Sequence, residues 1–284
     1  MKIFRFNSDS GPHIGLELEG ARFDLTPISP VFHDLAAWLS SPKPLSAVHD
    51  AVEACRRFPI HPDAPILPPL DHQEVWASGV TYLRSKIARM DESRQSADIY
   101  DRVYEAERPE LFFKAVPSRV AGHLAPIRIR RDSTWNVPEP ELVLVISSRG
   151  EVVGTTIGND MSSRSIEGDN PLYLPQAKIY EGSCAMGPSI DLMPEPANGR
   201  SIQLTIEREG KVAFNGEIST SRMRRNASEL ARWLFKELHF PAGVFLFTGT
   251  GIVPPNNFSL KEGDIVKISI EGIGTLENHV AENK

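Results

Sequence analysis

Two glutamates, Glu139 and Glu141, stand two residues apart at the start of an apolar run in the stretch WNVPEPELVLVI. In a β-strand, residues two apart point to the same face and lie roughly 6.6 to 7 Å from each other. Carboxylates this close beside a sheet interior raise each other's pKa unless a cation compensates them. Magnesium or a similar hard ion, which prefers carboxylate oxygen, supplies such a charge. The alternative is a solvent-facing pair with a lysine or arginine partner.

A third carboxylate is available in the stretch TTIGNDMSSR, where Asp160 ends a β-like run. If ELVLVIS pairs with EVVGTTIGND as a hairpin across the turn SRGE, Asp160 returns towards Glu141. Pro138 and Pro140 stiffen the approach to the first strand, and the apolar run after them indicates a core. A charged pair at the rim of a core is typical of a functional site. The neighbourhood therefore favours the metal hypothesis without excluding the solvated pair.

The pattern of helices and strands expected around these residues predicts two domains. Residues 1–70 predict a small α+β domain, with strands around IGLELEG and ARFDLTP and helices in VFHDLAAWLS and SAVHDAVEACRRF. The proline cluster HPDAPILPPLDHQ cannot continue a helix, so we place the boundary near Leu70. We expect residues 71–284 to form the second domain, which holds the catalytic site.

Residues 84–107 are polar and helix-permissive, with a weak point from Ser93 to Ser96. They predict either a solvated helical pair or a mobile lid over a site, because lids are drawn from lightly anchored segments.

After Pro109, short β-rich runs alternate with Gly, Pro, Asn and Asp clusters, which predicts a mostly antiparallel sandwich or barrel. One helix is expected there, starting at the N-cap Ser228 and burying the stripe Leu230, Trp233, Leu234 and Leu238. The fold class is therefore α+β and mostly β.

The composition of the chain narrows the classes of function that it can have. The chain has 284 residues, 40% of them hydrophobic, and a formal net charge of -6 without a block of basic residues. Nucleic-acid binding is not expected, since it needs clustered cations. No run reaches the about 18 apolar residues of a membrane span, and the N-terminus lacks the apolar core of a signal peptide. We expect a cytoplasmic protein, with Cys55 and Cys184 as buried thiols. No histidines pair at short spacing, so any metal is held by oxygen.

Six blocks in order resemble the fumarylacetoacetate hydrolase superfamily, from about Val75 to the end of the chain. They are ASGVTY, PELFFKA, EPE, IGNDMSSR, YLPQAKIYEGSCAMGP and LFTGTGIVPP. The resemblance implies a mixed β-sandwich roll behind a small N-terminal domain, assembled as a homodimer or homotetramer. It also implies a small 2-oxo acid as substrate, and no nucleic acid or membrane as partner.

The resemblance implies the following site. Glu139, Glu141 and Asp160 ligate a divalent cation, Mg²⁺ or else Mn²⁺ or Ca²⁺. Lys178 and Arg164 are active-site cations, and Lys178 either holds developing negative charge or moves the proton beside the ketone. The remaining residues expected to line the substrate pocket are Ser85, Lys114, Thr248, Gly249 and Thr250.

One departure from the family pattern bears on the reaction. In the family's hydrolases, the G-x-x-Y block is followed three residues later by a histidine that activates water, and here that position holds Ser85. Serine has no pKa near neutrality and cannot replace that base without a partner.

The chain instead resembles the branch that dehydrates 2-keto-3-deoxy-pentonates to 2,5-dioxopentanoate, with Glu110 as an additional acid/base group. Two alternatives remain. One is an acylpyruvate or diketo-acid hydrolase, or an oxaloacetate decarboxylase, on the same scaffold. The other is a binding or assembly module with a merely solvated acidic cluster.

Overall fold

The computed structural model describes residues 1–92, 97–192 and 199–282, with the backbone alone at 88–92, 97 and 98. These residues form β-strands and α-helices whose bounds are as follows. The strands are β1 (Lys2–Ser8), β2 (Gly11–Leu18), β3 (Ala21–Asp24), β4 (Ile66–Leu67), β5 (Glu74–Gly79), β6 (Glu110–Ala115), β7 (Val120–Ala121), β8 (Pro126–Ile129), β9 (Asn136–Val137), β10 (Pro140–Ile146), β11 (Val152–Asp160), β12 (Ser162–Ser163), β13 (Cys184–Asp191), β14 (Ser201–Arg208), β15 (Lys211–Ser219), β16 (Val244–Phe247), β17 (Ile265–Ile270) and β18 (Gly274–Glu282). The helices are α1 (Leu35–Ser40), α2 (Pro44–Cys55), α3 (Leu83–Glu92), α4 (Ala97–Glu105), α5 (Arg164–Asp169), α6 (Leu174–Lys178) and α7 (Ala227–Leu234).

Two sheets dominate the described residues. The larger has the order β3-β2-β1-β13-β11-β10-β16-β5-β6, with β4 paired to β1 and β7 paired to β13. The smaller has the order β15-β14-β17-β18-β8, and β9 pairs with β12 in a separate ribbon. The pairs β5–β16, β7–β13 and β8–β18 are parallel and the other pairs are antiparallel. The predicted α+β, mostly β fold is confirmed, and its sheets are mixed.

The two sheets enclose an apolar core. Leu142 and Ile157 of the larger sheet share one buried cluster with Leu204 and Ile268 of the smaller sheet. In β17, Val266, Ile268 and Ile270 are buried while the alternate residues are half-buried. This alternation of period two is what a strand with one face on a core requires. The structure thus has two packed sheets, one of the two arrangements, sandwich or barrel, that the sequence predicts.

The N-terminal residues join the same framework. Strand β1 pairs with β13, with Lys2 opposite Asp191, and β4 in the proline cluster pairs with β1. Trp38 of α1 belongs to one buried cluster that also contains Val143 of β10. The boundary near Leu70 stays a prediction, and the segment before it shares both sheet and core with the strands after it.

Several elements differ from expectation. Strands β1, β5 and β13 and the short helices α5 and α6 were not predicted. The N-cap of α7 is Asn226 rather than Ser228, because the Asn226 side chain accepts from the Glu229 amide over 2.7 Å. The expected stripe is also too long, because Leu238 lies beyond the helix and is 39% exposed.

The helical pair predicted within 84–107 is present as α3 and α4, while the weak point from Ser93 to Ser96 lies outside the described residues. Arg225 holds the end of α4 by donating to the carbonyls of Ala106 (2.5 Å) and Glu107 (3.0 Å). The Tyr104 ring lies near the cationic groups of Lys86 (4.9 Å) and Arg224 (4.6 Å). Polar and cation–π contacts therefore hold the described part of the pair, in which Tyr100 is also buried.

Two smaller expectations are resolved by the structure. Cys55 and Cys184 are buried free thiols, as predicted, and burial raises the pKa of Cys184 to about 12. Among the described helices, none combines the length and the apolar character needed to cross a bilayer.

The shared core leads to a stability prediction for Leu16→Ala. Leu16 is fully buried in the cluster that joins β2 to β10 and β16. We expect the substitution to lower the free energy of unfolding by about 2–5 kcal/mol through lost burial and a residual cavity. Thermal unfolding followed by circular dichroism should show one transition at a lower temperature. Val212→Ala, at a side chain that is 63% exposed, is the control and should leave the transition in place. An early transition limited to the N-terminal residues, with the main one unchanged, would contradict the shared core.

Candidate active site

Three buried carboxylates converge at one end of the hairpin formed by β10 and β11. Oxygen atoms of Glu139, Glu141 and Asp160 lie within 4.8 Å of one another. The predicted hairpin is present, with Glu141 opposite Gly158 in the register. The amide of Asp160 donates to the carbonyl of Glu139 over 3.0 Å, which closes the hairpin at the site. The expectation that pairing would return Asp160 towards the two glutamates is therefore confirmed.

Buried cations surround these carboxylates. The Lys178 ammonium lies 2.8 Å from Glu139 Oε2 and 3.1 Å from Asp160 Oδ2, and it donates to Ser162 Oγ over 2.6 Å. The Arg164 guanidinium lies 2.8 Å from Glu139 Oε1. Buried charges are tolerated when they are paired in this way.

Lys114 contacts the carboxylate cluster through Asp160. Its ammonium lies 2.5 Å from Asp160 Oδ1 and also donates to the carbonyls of Met161 and Lys178. Lys114 does not line the cavity beside the carboxylates, so its placement differs from the pocket-lining position expected from sequence. It holds Asp160 and the end of α6 in place.

Glu141 has a different environment from its two neighbours. Its Oε2 accepts a hydrogen bond from the Gly249 amide over 2.5 Å. Burial, followed by the charges of Asp160 and Glu139, raises the pKa of Glu141 well above the usual range, while Lys178 and the Gly249 amide oppose this. A bound divalent cation would offset the same cost.

The turn after β16 supplies the backbone near Glu141. Thr248 is tied to β10, because its amide and its hydroxyl both donate to the Leu142 carbonyl, over 3.1 and 2.8 Å. Gly249 and Thr250 line the small cavity beside the carboxylates, whereas Thr248 does not. The predicted turn is thus at the site, with Gly249 and Thr250 as the buried part that faces the cavity.

Glu110 and Ser85 also face this cavity. Glu110 lies opposite Gly79 in the pairing of β5 and β6, and a Cβ added at Gly79 would lie 2.0 Å from Glu110 Oε2. The absence of a side chain at Gly79 therefore makes room for the carboxylate. The Ser85 hydroxyl donates to the Tyr82 carbonyl over 2.8 Å.

The cavity itself measures about 20 Å³. A cavity needs about 10–15 Å³ on this measure to hold one water molecule. The further side chains on its wall, beyond those predicted from the sequence, are Ser78, Val80, Phe112, Glu167 and Leu174. Glu167 lies three residues after Arg164 in α5, a spacing that places both on one helix face. Ser162 was also missed, although it lies two residues after Asp160, a spacing that in a strand puts both on the same face.

The donor set fits a hard divalent cation. Three carboxylates supply oxygen ligands of the kind that magnesium prefers, and the described histidines and cysteines contribute nothing to the cluster. The predicted ligands are thereby brought together with Lys178 and Arg164 beside them. The arrangement can hold a small anionic oxygen ligand among cations, next to a fourth carboxylate, Glu110.

Comparison with known proteins agrees with this geometry. A protein of Haloferax volcanii named probable 2-keto-3-deoxyxylonate dehydratase is 49% identical over 215 residues, covering 75% of this chain and 73% of that protein. The 2-dehydro-3-deoxy-D-arabinonate dehydratase of Saccharolobus solfataricus is 44% identical over 227 residues, covering 78% and 76%.

Solved structures show the same likeness over the whole chain. The apo form of 2-keto-3-deoxy-D-arabinonate dehydratase superposes with a TM-score of 0.84 at 36% identity, covering 100% of both chains. A structure of that enzyme complexed with magnesium and 2,5-dioxopentanoate has a TM-score of 0.83 at 36% identity and the same coverage. Residues 74–281 match the family described as fumarylacetoacetate (FAA) hydrolase C-terminal. This chain therefore belongs to the fumarylacetoacetate hydrolase family.

Proposed function

We propose that this protein is a magnesium-dependent dehydratase that converts 2-keto-3-deoxy-D-arabinonate, also called 2-keto-3-deoxy-D-xylonate, into 2,5-dioxopentanoate. The observation that carries the proposal is the buried group of Glu139, Glu141 and Asp160 with Lys178 in contact with two of its members. Two relatives above 40% identity carry dehydratase names, and a structure of high similarity holds magnesium with 2,5-dioxopentanoate.

Glu139, Glu141 and Asp160 are the residues that would hold the metal. When bound there, magnesium supplies Lewis-acid polarisation of the keto and carboxylate oxygens of a 2-oxo acid, which makes the hydrogens on the neighbouring carbon acidic. Arg164 contacts Glu139 and lines the cavity, so it orients that ligand and stands where it can bind a substrate oxygen.

Lys178 and Glu110 divide the proton transfers. Lys178 Nζ lies at the edge of the ligand set, and we assign to its neutral amine form the removal of the proton at C3, beside the ketone. The positive charge of a bound divalent cation would favour that neutral form. Glu110 faces the same cavity from β6, and we assign to it protonation of the C4 hydroxyl that leaves as water. Loss of the C3 proton and the C4 hydroxyl removes one water molecule. Two further protons, from C5 and from its hydroxyl, then move to C3 and C4 and yield the aldehyde.

Ser85 argues against hydrolysis on the same scaffold. Its hydroxyl proton is engaged by the Tyr82 carbonyl, and serine has no pKa near neutrality, so it supplies no base for an attacking water. The acylpyruvate hydrolase alternative is therefore not favoured, and the dehydratase names of the two relatives above 40% identity do not favour the decarboxylase.

We also propose that α3 and α4 act as the lid predicted for residues 84–107. A cavity of about 20 Å³ is too small for a five-carbon acid, so surrounding residues must move to admit it. Ser85 in the first turn of α3 lines that cavity, and polar contacts anchor α4. Assembly as a homodimer or homotetramer, a cytoplasmic location and a role in pentose catabolism complete the proposal, on the basis of the family resemblance.

The activity is tested by incubating the purified chain with magnesium and 2-keto-3-deoxy-D-arabinonate and trapping the aldehyde. We expect formation of a semialdehyde that stops when EDTA removes the metal and returns when excess magnesium is added. Release of pyruvate from an acylpyruvate or from oxaloacetate, with no aldehyde from the pentonate, would contradict the proposal.

The ligand set is tested with Glu141→Gln, which keeps the shape and removes the charge. We expect magnesium affinity, measured by titration calorimetry, to fall on the order of 100-fold, because even outer-shell partners of a metal contribute 10- to 100-fold. The metal-free protein should melt no lower than wild type, since the raised pKa of Glu141 means that its charge costs folding free energy at neutral pH. Glu151→Gln, in the exposed turn after β10, is the control and should change neither quantity. Unaltered magnesium affinity in Glu141→Gln would remove Glu141 from the ligand set.

The assignment of the two proton-transfer groups is tested in ²H₂O with Glu110→Gln. We expect kcat for dehydration to fall about 10²- to 10⁴-fold, the usual contribution of a general acid. Exchange of the C3 hydrogens with solvent, followed by NMR, should continue because Lys178 is intact. Lys178→Met should lose both reactions. If Glu110→Gln instead abolished exchange and Lys178→Met retained it, the two roles would be reversed.

A further inference from the structure

A strained corner lies behind the carboxylate cluster, at Val80 and Thr81 between β5 and α3. Val80 has a backbone φ of +53°, in the left-handed region that β-branched residues rarely adopt. Both residues are buried, and the Arg224 amide fixes the corner by donating to the Thr81 carbonyl over 2.9 Å. Strain of this kind persists where the surrounding contacts enforce it and clusters at functional positions. The fixed backbone of this corner determines where the Thr81 hydroxyl points.

The corner aims the Thr81 hydroxyl at one peptide group, between Thr248 and Gly249. The hydroxyl donates to the Thr248 carbonyl oxygen over 2.6 Å. The amide of the same peptide, on Gly249, donates to Glu141 Oε2 over 2.5 Å. The C=O and N–H of a trans peptide lie in one plane and point in opposite directions. Fixing the carbonyl therefore fixes the direction of the N–H that meets Glu141.

Gly249 leaves room for the Thr81 hydroxyl, but it also allows the Thr248–Gly249 peptide to rotate. Its φ is +91°, and a Cβ there would lie 2.1 Å from Thr81 Oγ1, so only glycine admits the hydroxyl. Glycine also leaves the preceding peptide free to rotate. Rotation would turn the Thr248 carbonyl oxygen towards the Glu141 carboxylate and place two electronegative oxygens together. The bond from Thr81 opposes that rotation.

Glu141 depends on this amide more than its neighbours do. Among the hydrogen bonds of the described residues, the Gly249 amide is the donor to the Glu141 carboxylate. Glu139 and Asp160 each contact ammonium or guanidinium groups at 2.5 to 3.1 Å. The orientation of Glu141 is therefore set by a neutral peptide, and the orientation of that peptide is set by Thr81.

We propose that Thr81 is a positioning residue for the divalent-metal centre, holding the Thr248–Gly249 peptide so that Glu141 keeps its metal-binding orientation. The inference rests on the proposed metal centre. It assigns a role to a side chain that lies outside the cavity and acts through Gly249 and Glu141.

The test compares Thr81→Val, which removes the hydroxyl at nearly constant volume, with Thr81→Ser, which restores it. Magnesium binding to the metal-stripped full-length protein is measured by titration calorimetry, and manganese binding by electron paramagnetic resonance. We expect Thr81→Val to weaken both affinities about tenfold, at the lower end of the effect of outer-shell partners. Thr81→Ser should bind close to the wild-type value. At saturating magnesium, kcat of Thr81→Val should approach wild type while the half-saturating magnesium concentration rises.

Thr156→Val is the matched control. Thr156 is a buried threonine of β11 whose hydroxyl donates to the Ser189 carbonyl over 2.7 Å, so the substitution removes the same kind of bond away from Glu141. It should lower the melting temperature of the metal-free protein much as Thr81→Val does, yet leave metal affinity unchanged.

The outcomes separate the inference from the proposal beneath it. Wild-type affinity in Thr81→Val, equal losses in Thr81→Ser, or an equal loss in Thr156→Val would each overturn the role of Thr81 and leave the metal centre standing. Absence of metal binding by the wild-type protein would overturn the metal centre itself, and the role of Thr81 with it. If Thr81→Val does not fold, Thr81→Ala provides the same comparison with Thr81→Ser.

Discussion

The mutual repulsion of Glu139, Glu141 and Asp160, whose oxygens lie within 4.8 Å of one another in a buried place, has to be offset by positive charge. In the structure that charge comes from buried side chains of three separate elements: Lys114 of β6, Arg164 at the start of α5 and Lys178 at the end of α6. The fold is arranged so that these elements meet. The hairpin of β10 and β11 brings the acids together, and the short helices after β11 return two of the cations to them. A divalent ion at the same place would add positive charge beside Glu141, whose carboxylate accepts from the neutral Gly249 amide.

The chemistry proposed for the site depends on what stands around that charged group. Ser85 occupies the position where the hydrolases of the family have a histidine, and its hydroxyl is bonded to the Tyr82 carbonyl. Glu110 faces the cavity from the opposite strand, against the bare backbone of Gly79. With a serine in place of that histidine and Glu110 on the same cavity, the site is suited to elimination rather than to hydrolysis by the histidine route.

Local patterns predicted the parts of the site that lie close together in sequence. The spacing of Glu139 and Glu141, and the turn between the two apolar runs, were enough to predict the hairpin and the return of Asp160. The short β-rich runs between Gly, Pro, Asn and Asp clusters likewise predicted a sandwich or barrel. The cations were assigned only through the family resemblance, because no local rule brings Lys114 and Lys178 to carboxylates tens of residues away. Lys114 was expected to line the pocket, and its ammonium instead contacts Asp160 Oδ1.

Other errors have equally physical causes. Strand β13 is buried on both faces and contains Gly187 and Pro188, so it lacks the alternation that marks a strand. Asn226 and Ser228 can each cap a helix, and the structure selects the one whose oxygen reaches the Glu229 amide.

Binding of one divalent ion by the three acids is tested most directly by an anomalous-difference map from crystals of this protein soaked in Mn²⁺. The account predicts a single peak within bonding distance of carboxylate oxygens from Glu139, Glu141 and Asp160. A map without a peak there, with Lys178 still bridging Glu139 and Asp160, would contradict it.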